Sequence, residues 1–480
     1  MDNILKAGIE AAVESGAEFG EARWHEVQNQ VLMARGQVLT HARNSRESGM
    51  GIRAYYNGAW GFAGAQAETV DEASKLGKKA VDIAKASAHI QHSPLQLTPV
   101  KSYQENWISP VQIDPMSVSV KEKAELLLEL NALMMKEEYV RDGMMHMRFL
   151  KHHKIYANSI GSLIDQTQLW SNIDGRAVAV GTGKYATRGF QLSPKGIGYE
   201  IVDEKFLFER AKQVGREAAE KLRAKPIKEE ISDLILLPNH TRLVIHETIG
   251  HATELDRVLG WEADYAGTSF ATPDKLGSLA FGAPILNVTA DRTQSGGLAT
   301  CAFDDEGIPS QEWKIIKEGV LIDYSTTRDT APFIGHLQSH GCAFADHWSS
   351  VPILRMANIG IDSGGINAPD LDQLISDTKS GVIIDGMDSF SIDHQRINFQ
   401  FGGDYCRRIQ NGKISEVISH LTYEGSNPMF WNSIDAICRK EFWRPQGIWG
   451  CAKGQPVQTA ALTHGSAPLR LHNIKIRSVD

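Results

Sequence analysis

Cysteine is scarce in this chain. Five occur in 480 residues, at 301, 342, 406, 438 and 451, and no two form a CxxC pair. That is too few for a disulfide scaffold. Basic charge is in deficit: 50 Lys+Arg stand against 58 Asp+Glu, a formal net charge of −8. A nucleic-acid surface normally needs a concentrated basic patch, so the balance argues against one. Long hydrophobic runs are missing too. Stretches such as Ile231 to Pro238 fall far short of the roughly 20 residues of a spanning helix, so no membrane contact is expected. The opening MDNILKAGIEAAVESG has no basic segment followed by an apolar one and reads as a small amphipathic helix, not a secretory signal. With cysteines expected to be free, this places the protein in a reducing cytoplasm.

What is present is ordinary for a soluble globular protein, with 42% hydrophobic and 22% charged residues, which excludes disorder. The length predicts two or three domains. Glu21–Met33 and Gln37–Arg46 alternate apolar and polar positions, as half-buried strands do, and 49–56 continues the pattern. Asn57-Gly58 signals a hairpin, because both residues tolerate positive φ. From Thr69 to about Ala88 the period becomes helical, and Thr69 with Glu72 forms a capping box. Residues 90–117, rich in Pro, Gln and Ser, read as a linker. A helix over 118–136, strands at 139–150, 154–158, 161–170 and 175–182, and a helix over 203–224 repeat the α+β recipe. Lys225-Pro226 marks a boundary. A buried strand at 231–237, a turn at 238–240 and a helix of about 18 residues from Thr241 follow, and then mostly strands with Gly-rich breaks at 296–297, 364–365 and 402–403. The expectation is a multidomain α+β protein. Its units are an N-terminal α+β domain (1–100), a central α+β domain (101–226) and a β-rich C-terminal domain (227–480). The last is an antiparallel sheet or open barrel with one helix packed on it.

That helix contains His246-Glu247-Thr248-Ile249-Gly250-His251, or HExxxH. Two imidazoles can hold a metal ion, and the adjacent carboxylate can take a proton from a water that the metal activates. The common spacing, HExxH, puts both histidines on one helix face. Five residues in a regular α-helix rotate the second ring by roughly 140°, at about 100° per residue, so the rings would diverge. A π-type turn closes the gap, and Gly250 lowers the resistance to it. A widened turn over 246–251 is therefore predicted. On spacing alone, a helix that merely exposes two histidines stays open. His336 and His340 have i, i+4 spacing, with His347 beyond. No Glu stands at 337 and Gly341-Cys342 breaks the segment, so the reading there is a polar loop on the substrate side. His152-His153 reads as exposed, in a basic strand. Trp431, Trp443 and Trp449 read as packing around the sheet.

His246-Glu247-x-x-Gly250-His251-x-x-Glu254-x-Asp256 resembles the HExxGHxxExD motif of the TldD/PmbA family of zinc metallopeptidases. The likeness runs the length of the chain in order. Gly49-Met50-Gly51-Ile52-Arg53 with 58–63 resembles the family's N-terminal block. Pro352-Ile353-Leu354-Arg355-Met356-Ala357-Asn358 is similar to its P-x-x-R-M-x-N segment, and 409–414 to its late hairpin. Gly450-Cys451-Ala452-Lys453-Gly454-Gln455-Pro456 is similar to its C-G-K-x-G-Q segment, although Ala452 replaces Gly and one residue is missing before Gln455.

The resemblance implies three ligands for Zn2+: His246, His251 and Cys451. The chemistry agrees, since a catalytic zinc wants three protein ligands and one open position, and thiolate binds it strongly. Cys451 is expected in a Gly-flanked turn, and the other four cysteines as small core residues. Glu247 is the expected general base. Glu254 and Asp256 are expected to orient a ligand histidine or cap the helix end, with Glu254 as third ligand a minor alternative. The family implies a metallopeptidase that cuts extended or unfolded peptides inside an enclosed dimer cavity, where the peptide lies as an added strand. It also implies pairing with a TldE/PmbA-type partner subunit lacking the motif, a homodimer remaining the alternative. Two other functions stay open: a non-catalytic peptide-binding scaffold and a metal-dependent hydrolase of small amides.

Overall fold

The structure is a computed structural model that describes residues 1–479. Helix α1 (Asp2–Glu14) leads into β1 (Phe19–Arg35), β2 (Val38–Tyr56) and β3 (Ala59–Ala65), followed by α2 (Val70–Ile90). The Asn57-Gly58 turn has φ of 44° and 79°, and the Thr69/Glu72 capping box is formed. The stretch expected as a linker contributes a strand, β4 (Gln104–Ile108). Then come α3 (Val120–Met134), β5 (Val140–Asn158), β6 (Leu163–Gly181), β7 (Lys184–Gln191) and α4 (Glu204–Lys221). The gaps at 47–48, 151–153 and 171–174 between the strands read from the sequence lie inside β2, β5 and β6, which run 19 residues each. Charged and polar residues there do not interrupt a strand whose edges are paired on both sides.

These strands build one seven-stranded sheet in the order β3-β2-β1-β5-β6-β4, with β7 on β6. The sheet joins residues from both halves of the first 226. Its two faces differ. Alternate residues such as Ala22, Leu32, Met147, Phe149 and Ile173 pack under the helices. The intervening ones, Glu21, Arg23, His25, His152 and Lys154, are also buried. They face the last 250 residues: Arg23 Nη2 donates to the Ser350 carbonyl at 2.9 Å, and Lys154 Nζ to Asp305 at 2.7 Å. His152, expected exposed, is 2% exposed and bonded to His25 at 2.8 Å. The polar half of the alternation meets protein, not water.

The remaining chain forms β8 (Glu230–Leu236), α5 (Pro238–Ile245), β9 (Val288–Asp291), β10 (Glu312–Lys317), β11 (Val320–Leu321), β12 (Ala343–Phe344), β13 (Ile353–Leu354), β14 (Asn358–Ile361), β15 (Ser380–Ile392), β16 (Asn398–Gln410), β17 (Lys413–Ile418), β18 (Leu421–Ser426), β19 (Ile434–Ile437), β20 (Arg444–Lys453), β21 (Gln458–Ser466) and β22 (Leu469–Ser478). Strands β15, β8, β22, β18 and β16 pair in sequence, and β15 also pairs with β16. The barrel is therefore closed, not open, and it is mixed, since β8 runs parallel to β15. Gly402-Gly403, expected as a break, lies inside β16. A second sheet has the order β11-β10-β9-β14-β21-β20, which leaves β20 at its edge. Helix α5 packs between β15 of the barrel and β20 and β21 of this sheet.

Candidate metal centre

Helix α5 begins earlier than expected, because Pro238 supplies its first turn. It is also shorter. At His246 the backbone widens into a π turn that runs to Gly250, then tightens over His251–Thr253. The widened turn predicted from the five-residue spacing is present. It brings the two imidazoles together, with ring centroids 4.6 Å apart. Gly250 has φ −55°, an ordinary helical value, so it is not needed for a left-handed bend. It is needed for room: a Cβ there would stand 2.7 Å from Met356 Sδ. Side chains brace the distorted turn. Thr248 Oγ1 donates to the Val244 carbonyl at 2.6 Å, and Thr253 Oγ1 to the Ile249 carbonyl at 2.9 Å. Trp431, fully buried, donates its Nε1 to Thr248 Oγ1 at 3.0 Å.

Cys451 comes from strand β20, not from a turn. Between Ile448, opposite Leu462, and Cys451, opposite Ala460, the register slips by one residue, and Gly450 in that bulge has φ 102°. A bulge re-aims the side chain that follows it. One donor atom from each of His246, His251 and Cys451 lies within 4.8 Å of the other two. Cys451 Sγ is 3.4 Å from His251 Nε2. Nitrogen and sulfur on one tetrahedral zinc stand roughly 3.5 Å apart, so the pair is already at ligand spacing. All three residues are buried.

The outward nitrogens are engaged. His246 Nδ1 is 2.8 Å from His464 Nε2, and His464 Nδ1 is 3.1 Å from the Ile359 carbonyl. That carbonyl can only accept, so His464 donates to it and receives the His246 Nδ1 proton. His246 Nε2 is left with its lone pair. His251 Nδ1 donates to Glu254 Oε2 at 2.7 Å, which leaves its Nε2 toward Cys451. Glu254 thus lies behind a histidine and not in the ring of donors. Asp256 touches neither histidine. Its carboxylate accepts from Lys453 Nζ at 2.8 Å, and the same ammonium reaches Glu254 at 3.2 Å and the Leu354 carbonyl at 2.9 Å. Lys453 is wholly buried. It ties the end of the histidine motif to the strand that carries Cys451. Arg355 ties the same strand from the other side, donating to the Cys451 carbonyl at 2.6 Å.

Charge states suit a cation. Burial pushes the His246 imidazole down to about 4 and lowers His251, so both rings are neutral near pH 7. Burial alone would raise the Cys451 thiol, but His251, when protonated, and Arg355 beside it draw it below the ordinary thiol value. Burial also opposes ionisation of Glu254, yet Lys453 and His251 hold its carboxyl well below the usual range. Two neutral imidazoles and a thiol disposed to ionise fit zinc, a borderline-soft ion.

Glu247 lies on the widened turn, 6% exposed, with Oε2 accepting from Arg396 Nη1 at 2.7 Å. A cleft of about 510 Å³ opens next to these elements, lined in part by Arg242, Gln191, Met387, Gly447 and Trp449. Arg242 is one turn before His246, and Trp449 is two residues before Cys451. Four contributors were not singled out from the sequence: His464, Lys453, Arg396 and Arg355. Arg355 and Lys453 do stand inside the recognisable segments, which was the available signal. His464 and Arg396 carry no local mark. The other four cysteines are buried and unpaired. His347 lies away from the centre, its Nδ1 2.6 Å from Ser349 Oγ.

Three family descriptions match successive stretches of the chain: "PmbA/TldA metallopeptidase domain 1" over 20–84, the "central domain" over 113–225 and the "C-terminal domain" over 229–472. The metalloprotease MJ0996 of Methanocaldococcus jannaschii is 26% identical over 94% of this chain and 95% of its own. A zinc metalloprotease TldD homolog of Saccharolobus solfataricus is 26% identical over 51% of each. The crystal structure of TldE from Thermococcus kodakarensis superposes with a TM-score of 0.76, at 15% identity, over 98% of this chain and 99% of that one.

Proposed function

The chain belongs to the PmbA/TldD family of metallopeptidases, and on that premise we propose that it is a zinc-dependent peptidase with His246, His251 and Cys451 as metal ligands and Glu247 as general base. The observation that carries this reading is the convergence of those three donors within 4.8 Å, where strand β20 meets the buried turn that also bears Glu247. A relative named as a zinc metalloprotease supports the choice of metal. Zinc bound there supplies Lewis acidity, which polarises a peptide carbonyl and makes a water easier to deprotonate.

The chain's own residues do the rest. Arg396 fixes the Glu247 carboxylate through Oε2, so Oε1 is the oxygen that takes the proton from water and passes it to the departing amine. His464 and Glu254 hold the two imidazoles with their lone pairs inward. The strand-rich C-terminal part suits an extended peptide bound as an added strand, with the cleft beside Trp449 receiving a side chain. Such recognition asks for an unfolded segment and little sequence. The peptide is held in an enclosed cavity completed by a second subunit, either a TldE/PmbA-type chain or another copy of this one. The solved fold likeness to a TldE supports the first.

The test is metal analysis and digestion of an unstructured peptide, wild type beside Glu247→Gln. The variant is expected to keep its metal and to lose cleavage by at least a hundredfold. Equal activity in the two proteins removes Glu247 from the chemistry. Loss of the metal in the variant would instead make Glu247 a ligand.

A further inference from the structure

A second set of metal donors lies outside the centre described above. Asp323, His336 and His340 each present a donor atom within 4.8 Å of the other two. Asp323 comes just after β11, and the histidines from a loop bracketed by Gly335 and Gly341, both in the left-handed region at φ 74° and 71°. The two glycines let the loop fold back without steric cost, so the i, i+4 pair converges although it is not on a helix. The reading as a polar loop rested on the absence of a Glu at 337 and on the Gly341-Cys342 break; the third donor, Asp323, lies 13 residues upstream of His336, beyond the reach of local spacing.

The geometry is more specific than an Asp–His pair. Asp323 Oδ2 is 2.8 Å from His340 Nε2, an ordinary hydrogen bond. Its other oxygen, Oδ1, is 3.7 Å from His336 Nε2, too long for one. The second imidazole is therefore aimed at the carboxylate without bonding to it, and its ring stands edge-on to His340 at 5.4 Å. A cation between them would satisfy both nitrogens and the carboxylate together. The loop is also held in place before any ion arrives. His340 lies flat on Trp313, with centroids 4.3 Å apart and planes 1° from parallel. Trp313 is pinned in turn by its Nε1 donating to the Tyr324 carbonyl at 3.1 Å, and the His340 amide donates to Thr326 Oγ1 at 2.9 Å. The side chains are 15–29% exposed, so solvent and ions can reach them.

We propose that Asp323, His336 and His340 form a second divalent transition-metal site. Two imidazoles and one carboxylate suit zinc or cobalt and leave a position open to water. With no thiolate, this site binds more weakly than the Cys451 centre. Its occupation clamps loop 331–342 to the segment 323–326, and that segment bridges to Glu254 through Ser325. The proposal does not depend on the peptidase reading.

The test is cobalt(II) titration of tag-free, metal-stripped protein, followed by absorbance. The Cys451 centre marks its occupation by a thiolate-to-cobalt charge-transfer band, whereas a nitrogen and oxygen site gives only weak ligand-field bands. Two equivalents are expected in wild type, the second without the thiolate band. His336→Ala, at a solvent-reachable position, should weaken the second equivalent at least tenfold and leave the first unchanged, and Asp323→Asn should do the same. A single equivalent in wild type, or a second one that survives both substitutions, overturns the proposal. Absence of the thiolate band with a normal second equivalent would count against the Cys451 centre alone.

Discussion

An imidazole that binds a metal must keep one lone pair inward, and the hydrogen bond at its other nitrogen does the keeping. Here the two histidines are held by different means. His251 leans on a carboxylate, Glu254, and His246 on another histidine, His464, which is fixed by a backbone carbonyl. The neutral relay leaves His246 free to take either tautomer once His464 is gone. His464→Ala should therefore lower zinc affinity by about 10- to 100-fold, read by competition with a chelator of known strength. An unchanged affinity would show that packing alone orients His246. The histidines and the glutamate were legible in the sequence because their spacing has a chemical meaning, and Cys451 only through the family resemblance. His464 was not, since it lies 218 residues from the ring that it supports and only the sheet brings them together.

The π turn is the decisive element. A regular helix cannot put i and i+5 on one side, so the HExxxH spacing is usable only where the helix is widened. Sequence supplied that reason, and the structure adds what makes the turn affordable: hydroxyls at 248 and 253 bonded to carbonyls one turn back, and Met356 against Gly250. Gly250→Ala places a methyl into the Met356 thioether. It should cost about 1–3 kcal/mol by overpacking, measured by denaturant unfolding, and disturb zinc binding with it. Adding Met356→Ala should recover part of both losses. If Gly250→Ala is as stable as wild type, the close approach is not what selects glycine. The P-x-x-R-M-x-N segment also acquires meaning at this scale. Arg355 holds the Cys451 carbonyl, Met356 backs the turn, and Asn358 Oδ1 accepts from the Ala299 and Thr463 amides at 2.9 and 3.2 Å.

Across the whole molecule, charge and imidazole are buried where the first sheet meets the barrel-bearing part. Arg53 bridges Glu21 and Glu306 at 2.6 Å each, and Arg188 joins Glu217 to Asp404, both at 2.6 Å. Burial pushes His152 to about 3 and His240 to about 4. Such rings stay neutral in the folded protein but take up protons near 6.5 when unfolded. Between about pH 6.5 and 4 these two rings bind more protons in the unfolded chain, so their contribution falls as pH falls through that window, while Asp304 and Asp329, pushed up by burial to about 7 and about 6, contribute in the opposite sense. Each ring contributes about 1.4 kcal/mol per pH unit. The change in melting temperature of metal-stripped protein between pH 8 and pH 5 should be less unfavourable in His152→Gln than in wild type. The same change in both proteins would mean that this ring is hydrated and protonates in place.

By itself the sequence determined the α+β composition, the hairpin and caps, the widened turn and the candidate ligands, because each depends on residues near one another in the chain or on a recognisable family pattern. Tertiary structure alone decided that the polar side of the first strands is buried, that the barrel closes, that Cys451 rides a bulge on an edge strand, and that His464, Lys453 and Arg396 attend the centre. Those facts depend on which distant strands pair and which faces meet. Alternation tells that a strand has two faces, but not what lies against either one.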